Sequence, residues 1–313
     1  MSAGSAGSAE QKGWKRRLFR NTGNAEKRKG AYQMALTTTV DMLRKAQEHH
    51  YAVGAFNVEN MEMAQAIIGA AEELRAPVIL QTTPSTVKYA GTALYQANVA
   101  ALAREASVPV AMHLDHGSSY ELCVSALRAG YTSIMIDGSK LPLDENIALT
   151  RRVSEMCAVV GVPVEGEIGR VGGKEDDLED EGGYTIPEEA VRFEKESGLF
   201  SMAVGVGTAH GFYKETPVLN KELITTLRGM LTAPMVLHGA SGLSDEDVRD
   251  CIARGICKVN FATELRAAYT KAVREVLADP SVIDPKAYGK AGRAAVKELV
   301  KSRMLVCGCD GRA

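Results

Sequence analysis

The sequence predicts an α/β protein, a (β/α)8 TIM barrel with an N-terminal covering helix and a C-terminal helical tail. Three observations predict it. Short β-rich apolar runs alternate with helix-like segments from about residue 51 onward. Eight such pairs follow one another over roughly 210 residues, the number that closes a parallel barrel. Each apolar run ends in polar residues or glycine, as strand ends facing a common mouth do. An open doubly wound sheet is the alternative. Nothing resembling G-x-G-x-x-G follows the first run, which weakens its dinucleotide-binding version.

The elements follow in order. A helix near 41–49 precedes the barrel and covers its bottom. The first strand is "YAVGAFNV", and the patterned segment "ENMEMAQAIIGAAEELR" follows it. The next strands are "PVILQTT", "VPVAMHLD" and "SIMIDGS", the last followed by the helix-like "LDENIALTRRVSEMCAVV". Then come "VPVEGEIG", "LFSMAVGVG", "PMVLHGAS" and "ICKVNFAT". Between the last two, "LSDEDVRDCIARG" has Ser244 as N-cap, Asp247 three residues later and Gly255 to stop it. A helical tail over about 285–305 closes the chain.

Composition narrows the function. The chain has 313 residues, 45% hydrophobic and 24% charged, ordinary values for a globular protein. A net charge of −2 points to no polyanion partner, and 5% aromatics to no base-stacking surface. No apolar stretch approaches the ~20 residues of a membrane helix. Six scattered cysteines without a C-x-x-C pair imply reduced thiols and a cytoplasmic location. Residues 1–33 differ in kind. "MSAGSAGSA" is low-complexity, and "QKGWKRRLFRNTGNAEKRKG" is basic. We read 1–33 as a flexible, tag-like or mis-started extension, a targeting presequence being the alternative, and 34–313 as the single catalytic barrel domain.

In a barrel the strand ends share one mouth. In order they carry Asn57, Thr82 and Thr83, Asp115 and His116, Asp137, Glu167, His210, His238 and Asn260. His116, His210 and His238 suit zinc or a similar divalent ion, which in catalytic sites keeps three protein ligands and one open position. Asp137 and Glu167 either orient those ligands or form an alternative metal position. His113 shares a strand face with Asp115, while alternation puts His116 opposite. The turn at "DHGSS" can swing His116 back to the mouth, and His113, one layer deeper, reads as structural. "HGASG" (238–242) and "VNFATE" (259–264) have small residues suited to an anion cradle, with a helix N-terminus behind them. Gly211 and Lys214 in "AHGFYK" add an N–H and a cation. The Gly-rich acidic loop 170–183 reads either as a mobile solvated loop or as a catalytic lid, in which case a carboxylate such as Glu175 would enter the site on closure.

These residues resemble the class II, zinc-dependent ketose-bisphosphate aldolases, especially the fructose- and tagatose-bisphosphate branches. The matching motifs are "YAVGAFNVEN", "HLDHGSS", "SIMIDGSKLPLDENI", "VEGEIGRVGGKEDD", "GVGTAHGFYK", "VLHGASG" and "KVNFATELR". They occur in family order over about 40–305. The resemblance implies zinc on His116, His210 and His238, with Asp137 and Glu167 at the neighbouring or alternative site. It implies Asp115 as acid/base and Glu175 as the lid's acid/base. Gly211, Gly239, Ala240, Ser241, Asn260, Phe261, Ala262 and Thr263 would hold the dihydroxyacetone phosphate end. A monovalent cation such as Na+ near these glycines is common in the family, and homo-oligomers, dimers or tetramers, are expected.

The expected reaction is reversible cleavage of tagatose or fructose 1,6-bisphosphate to dihydroxyacetone phosphate and glyceraldehyde 3-phosphate. Alanine at 262 resembles the tagatose branch, whereas Gly117 departs from the "HLDHH" of some tagatose enzymes. Related barrels cleave other ketose phosphates, including a keto-deoxygluconate phosphate. Arg266, one helical turn beyond Ala262, is a candidate for a distal phosphate. Competing readings are a Schiff-base aldolase with Lys258 as its inward lysine, a metal-dependent hydrolase, and a non-catalytic phosphosugar-binding barrel.

Overall fold

In a computed structural model, the described residues are 36–175, 178–180, 182–213 and 217–313, with the backbone alone for 174–175 and 178–180. The chain divides into two units, Met1–Gln33 and Met34–Ala313, and the description concerns the second. The expectation for residues 1–33 lies outside the described residues, as does Lys214.

Eight parallel strands close a barrel. They are β1 (Val53–Asn57), β2 (Val78–Thr82), β3 (Val110–Gly117), β4 (Ser133–Ile136), β5 (Val164–Ile168), β8 (Ser201–Val204), β10 (Met235–Leu237) and β11 (Ile256–Phe261). Each pairs with the next in this order, and β11 returns to β1 with Ala55 opposite Asn260. All eight expected strands are present. Three further strands form a separate small sheet: β6 (Gly172–Glu175), β7 (Leu178–Asp180) and β9 (Ala209–His210).

The helices form as their end residues dictate. Ser244 Oγ accepts from the N–H of Asp247 at 3.0 Å, starting the helix Asp245–Arg254, and Gly255 ends it. The covering helix spans Thr39–His49 and buries Met42, Leu43 and Ala46. Just before it, the Thr37 N–H donates to the Val110 carbonyl at the start of β3, so the helix sits at the N-terminal ends of the strands. The tail helix Pro285–Cys307 buries Val296, Val300 and Met304, an i, i+4, i+8 stripe. Each such side chain removed from water contributes about 1.5–3 kcal/mol.

The barrel interior is not wholly apolar. His113, Glu165 and Lys258 are buried inside it, one layer below the mouth. Lys258 Nζ lies 2.9 and 3.0 Å from the two Glu165 oxygens and 3.3 Å from His113 Nε2. His113 Nδ1 meets Ser133 Oγ at 2.8 Å, and Ser133 accepts from Thr39 Oγ1 at 3.2 Å. A polar column thus runs from the covering helix to the floor of the mouth. Burial first, then the Lys258 charge, pushes the His113 imidazole well below its ordinary range, so it stays neutral and can accept from the ammonium.

Candidate active site

The segment "HLDHGSS" solves the alternation problem with a bulge. In the β3–β4 ladder, Leu114 faces Ile134 and Gly117 faces Ile136, so β3 spends three residues where β4 spends two. His116 takes up the difference in the left-handed region, φ 46°. That conformation is costly for a residue with a Cβ and gathers at functional sites. A Cβ on Gly117 would stand 2.3 Å from the Met135 carbonyl oxygen, so only glycine lets the two strands close here. The result is that Asp115 and His116, adjacent in sequence, both serve the mouth.

Asp115 is 1% exposed. Gln81 Nε2 donates to its Oδ2 at 2.8 Å, and Asn260 Nδ2 donates to its Oδ1 at 3.0 Å. Gln81 also donates to Asn57 Oδ1 at 2.8 Å. Three strands, β1, β2 and β11, therefore brace one carboxylate on a fourth. Among the described residues, the buried polar atoms Asn57 Nδ2 and Asn260 Oδ1 of the braces have no hydrogen-bond partner, which suits them to substrate hydroxyls.

His116, His210 and His238 bring ligand atoms within 4.8 Å of one another, and so do His116, Asp137 and Glu167. The rings of His116 and His238 lie 4.6 Å apart, those of His116 and His210 5.0 Å. His238 is wholly buried, and its Nε2 meets Glu165 Oε1 at 3.1 Å. Its Nδ1 lies 3.1 Å from Glu167 Oε2 without the alignment of a hydrogen bond, and both atoms are buried without such a partner. Two facing lone-pair donors, left unsatisfied inside a cluster of imidazoles, fit a divalent cation. Burial alone would depress His238, but Glu165 and the adjacent Glu167 carboxylate outweigh it and raise it to about 9. A cation in the cluster would take the place of that proton.

Asp137 holds His116 Nδ1 at 3.0 Å and accepts from the Ser139 N–H at 3.0 Å. Burial raises its carboxyl, yet the His116 hydrogen bond, the His116 charge and Ser139 together bring it well below the usual range. Asp137 thus acts as the orienting partner of His116 while also belonging to the second candidate cluster. Glu165 plays the same part for His238 and is likewise held low, burial being overcome by Lys258, His238 and His113. Lys258 Nζ is engaged by two carboxylate oxygens and an imidazole, contacts that a Schiff-base lysine would have to give up.

His210 is not at the end of a barrel strand. The sixth barrel strand, β8, stops at Val204, and His210 lies in β9, paired in parallel with β6 through Gly173. β6 carries Glu175, so the loop expected to close over the site shares a ladder with the metal-type histidine. The Glu175 side chain lies outside the described residues.

A cleft opens between Asp115 and His210. It is lined by Asn57, Asp115 and Asn260 of the barrel strands, by His210, Gly211, Gly239 and Ser241, and by Ala262, Thr263 and Arg266. Gly239 has φ +66°, and a Cβ there would meet the Ala209 carbonyl oxygen at 2.6 Å. Tyr213 fixes this crossing: its hydroxyl donates to the Gly239 carbonyl at 2.7 Å and accepts from the Ala209 N–H at 2.9 Å. Ser241 Oγ accepts from the Ala262 N–H at 3.2 Å, at the start of the helix Thr263–Val276. That helix end favours an anion. Ala240 is buried, and the Phe261 ring stacks on Phe56 at 5.5 Å, away from the cleft. Of the other expected residues, ten line the cleft, and His116 and His238 cluster with His210 beside it. Thr82 does not join them, since its hydroxyl pairs with Tyr131 at 2.8 Å.

The comparisons agree with this fold. A family model described as "Fructose-bisphosphate aldolase class-II" matches residues 37–312. The YdjI aldolase from Escherichia coli K12 is 34% identical, with a TM-score of 0.80 over 89% of this chain and 99% of that one. A putative fructose-1,6-biphosphate aldolase from Coccidioides immitis is 32% identical, with a TM-score of 0.82 over 88% and 98%. A fructose-bisphosphate aldolase (Fba) from Campylobacter jejuni shares the fold at 22% identity and a TM-score of 0.75, over 87% and 95%. The chain belongs to the class II fructose-bisphosphate aldolase family and is an aldolase, a carbon–carbon lyase.

Proposed function

We propose that this aldolase catalyses zinc-dependent, reversible cleavage of a ketose 1-phosphate into dihydroxyacetone phosphate and an aldehyde. Fructose and tagatose 1,6-bisphosphates are the first substrates to test. The observation that carries this reading is a cleft lined by the braced carboxylate Asp115, by glycines suited to an anion, and by His210, which clusters with His116 and His238. His116, His210 and His238 would hold the ion, Asp137 and Glu165 would orient two of them, and Glu167 would adjoin it. Bound there, zinc supplies Lewis acidity that stabilises the charge left on the three-carbon fragment.

The chain's own residues do the rest. The loops around Gly211, Gly239 and Ser241, with the Thr263–Val276 helix end, grip the C1 phosphate and fix the ketose along the cleft. Asp115 accepts the C4 hydroxyl proton as the C3–C4 bond breaks, so the C4 end leaves as an aldehyde. The electron pair stays with C3, where Glu175 delivers a proton. In the condensation direction Glu175 removes that proton and Asp115 returns its own to the new hydroxyl.

The test is a coupled assay with both bisphosphates before and after chelation. Cleavage should vanish with chelator and return with zinc. Metal-independent cleavage with trapping by borohydride would instead mean a Schiff base and would overturn the proposal. Among the described residues no helix is long and apolar enough to cross a membrane.

A further inference from the structure

We propose that Glu59 sets the preference for the distal end of the substrate. It occupies Arg266, so the site favours an aldehyde with an uncharged, hydroxylated end over one ending in a phosphate dianion. This rests on the aldolase reading and narrows its substrate class.

Arg266 is the one arginine lining the cleft among the described residues. Its Nε and Nη2 both lie 2.6 Å from Glu59 Oε1. The carboxylate is itself anchored. Glu59 Oε2 accepts from Thr86 Oγ1 at 2.9 Å, and the Glu59 carbonyl accepts from the Tyr95 hydroxyl at 3.0 Å. Glu59 is therefore built into the rim and is not a passing surface partner.

Position assigns the pair to the distal end. Glu59 lies two residues past Asn57 at the end of β1, and Arg266 one helical turn past β11. β1 and β11 are neighbours, so the pair bridges the seam between them. Asn57 and Asn260, on the same two strands, belong to the bracing of Asp115. The glycine cradle comes from the β9 and β10 loops together with the N–H end of the Thr263–Val276 helix, whereas the Arg266 side chain on that helix turns to the β1 side, where Glu59 holds it. A ketose with its C1 phosphate in the cradle and its C4 hydroxyl at Asp115 has its remaining carbons directed toward this seam.

Charge then decides what the seam accepts. A lone guanidinium would recruit a phosphate by charge-assisted hydrogen bonds. Here the guanidinium and carboxylate sum to zero, and a dianion reaching the remaining Arg266 N–H groups also meets the Glu59 carboxylate at close range. Hydroxyls suffer no such repulsion, because Glu59 accepts and Arg266 donates hydrogen bonds.

The experiment uses the zinc-loaded enzyme in the condensation direction. Dihydroxyacetone phosphate is paired with glyceraldehyde or with glyceraldehyde 3-phosphate. The readout is the ratio of kcat/KM for the phosphorylated aldehyde over the uncharged one. Wild type should give a ratio below one. Glu59→Gln should raise the ratio about tenfold, the size of effect expected for one uncompensated charge at a substrate group. Arg266→Gln should move it the other way, below wild type, which a merely misfolded rim would not do. A wild-type ratio above one, or a ratio that falls in Glu59→Gln, would mean that Glu59 aligns Arg266 for phosphate and would overturn the proposal. An unchanged ratio in both variants would overturn it as well. Turnover of neither aldehyde by wild type would overturn the proposed dihydroxyacetone phosphate reaction itself, a distinct result.

Discussion

Asp115 has both oxygens engaged before any substrate arrives, by amides of Gln81 and Asn260. Neither amide can donate a proton to it, so it keeps a carboxylate's capacity to accept one. Asp115→Asn keeps the shape and removes that capacity. The variant should retain full zinc content by metal analysis while its cleavage kcat falls about 10²–10⁴-fold. Near-normal turnover would exclude Asp115 as the base. At this scale the sequence was informative where a residue sits at a strand end and carries unmistakable chemistry, as His116 and His238 do. It was silent on Gln81, which lies in the apolar run "PVILQTT" and whose importance comes from strands β1 and β3 on either side. Glu165 carried a faint signal, being two residues before Glu167 and so on the same strand face. Glu59 carried none, because its partner Arg266 is far away in sequence.

At the scale of elements, the cradle depends on how the helices behind it are held. Lys221, at the start of the helix Lys221–Met230, reaches Asp247 at 2.8 Å and Asp250 at 3.0 Å on the helix Asp245–Arg254. Arg254 returns to Glu222 at 2.8 Å and Asp250 at 2.9 Å. Hydrogen bonds from Lys221 come first among the causes that hold both aspartates below their ordinary 3.8. The folded state thus binds these protons less readily than the unfolded chain. The stabilisation is present above about pH 4 and is lost as pH falls through the folded values. Solvent screening keeps it near 1 kcal/mol or less. Asp250→Asn should flatten the acid limb of stability between about pH 4 and pH 2, and added salt should shrink the difference between variant and wild type. An identical limb in both proteins would show the clasp to be inert. These helices were legible from their caps, Ser244 above all. The small sheet of β6, β7 and β9 was not, since its pairing joins segments that each look like loop.

For the whole molecule, the barrel was legible because eight apolar runs recur with helical segments between them, and closure requires only that count and parallel order. What lies inside the barrel was not. Lys258 read as an inward lysine open to Schiff-base chemistry, and its bond to Glu165 gives it another role. The pair is fully buried, so removing one partner strands the other charge in the interior. Lys258→Met should cost about 3–5 kcal/mol in chemical denaturation. The double variant with Glu165→Leu should recover part of that stability while still binding zinc poorly, because His238 loses the carboxylate that orients it. A single variant as stable as wild type would mean that the column contributes nothing to folding.

The bulge in β3 also bears on how such a site can be changed. A regular strand shows a barrel's mouth every second side chain, so it can offer a proton acceptor or a metal ligand there, but not two in succession. Here the extra residue, His116 in a left-handed turn, and the glycine after it allow both. The two chemistries are thereby welded into one inheritance. A deletion or a bulkier residue at this corner would take both away together, and copying the pair onto an unbulged strand would transplant only one of them.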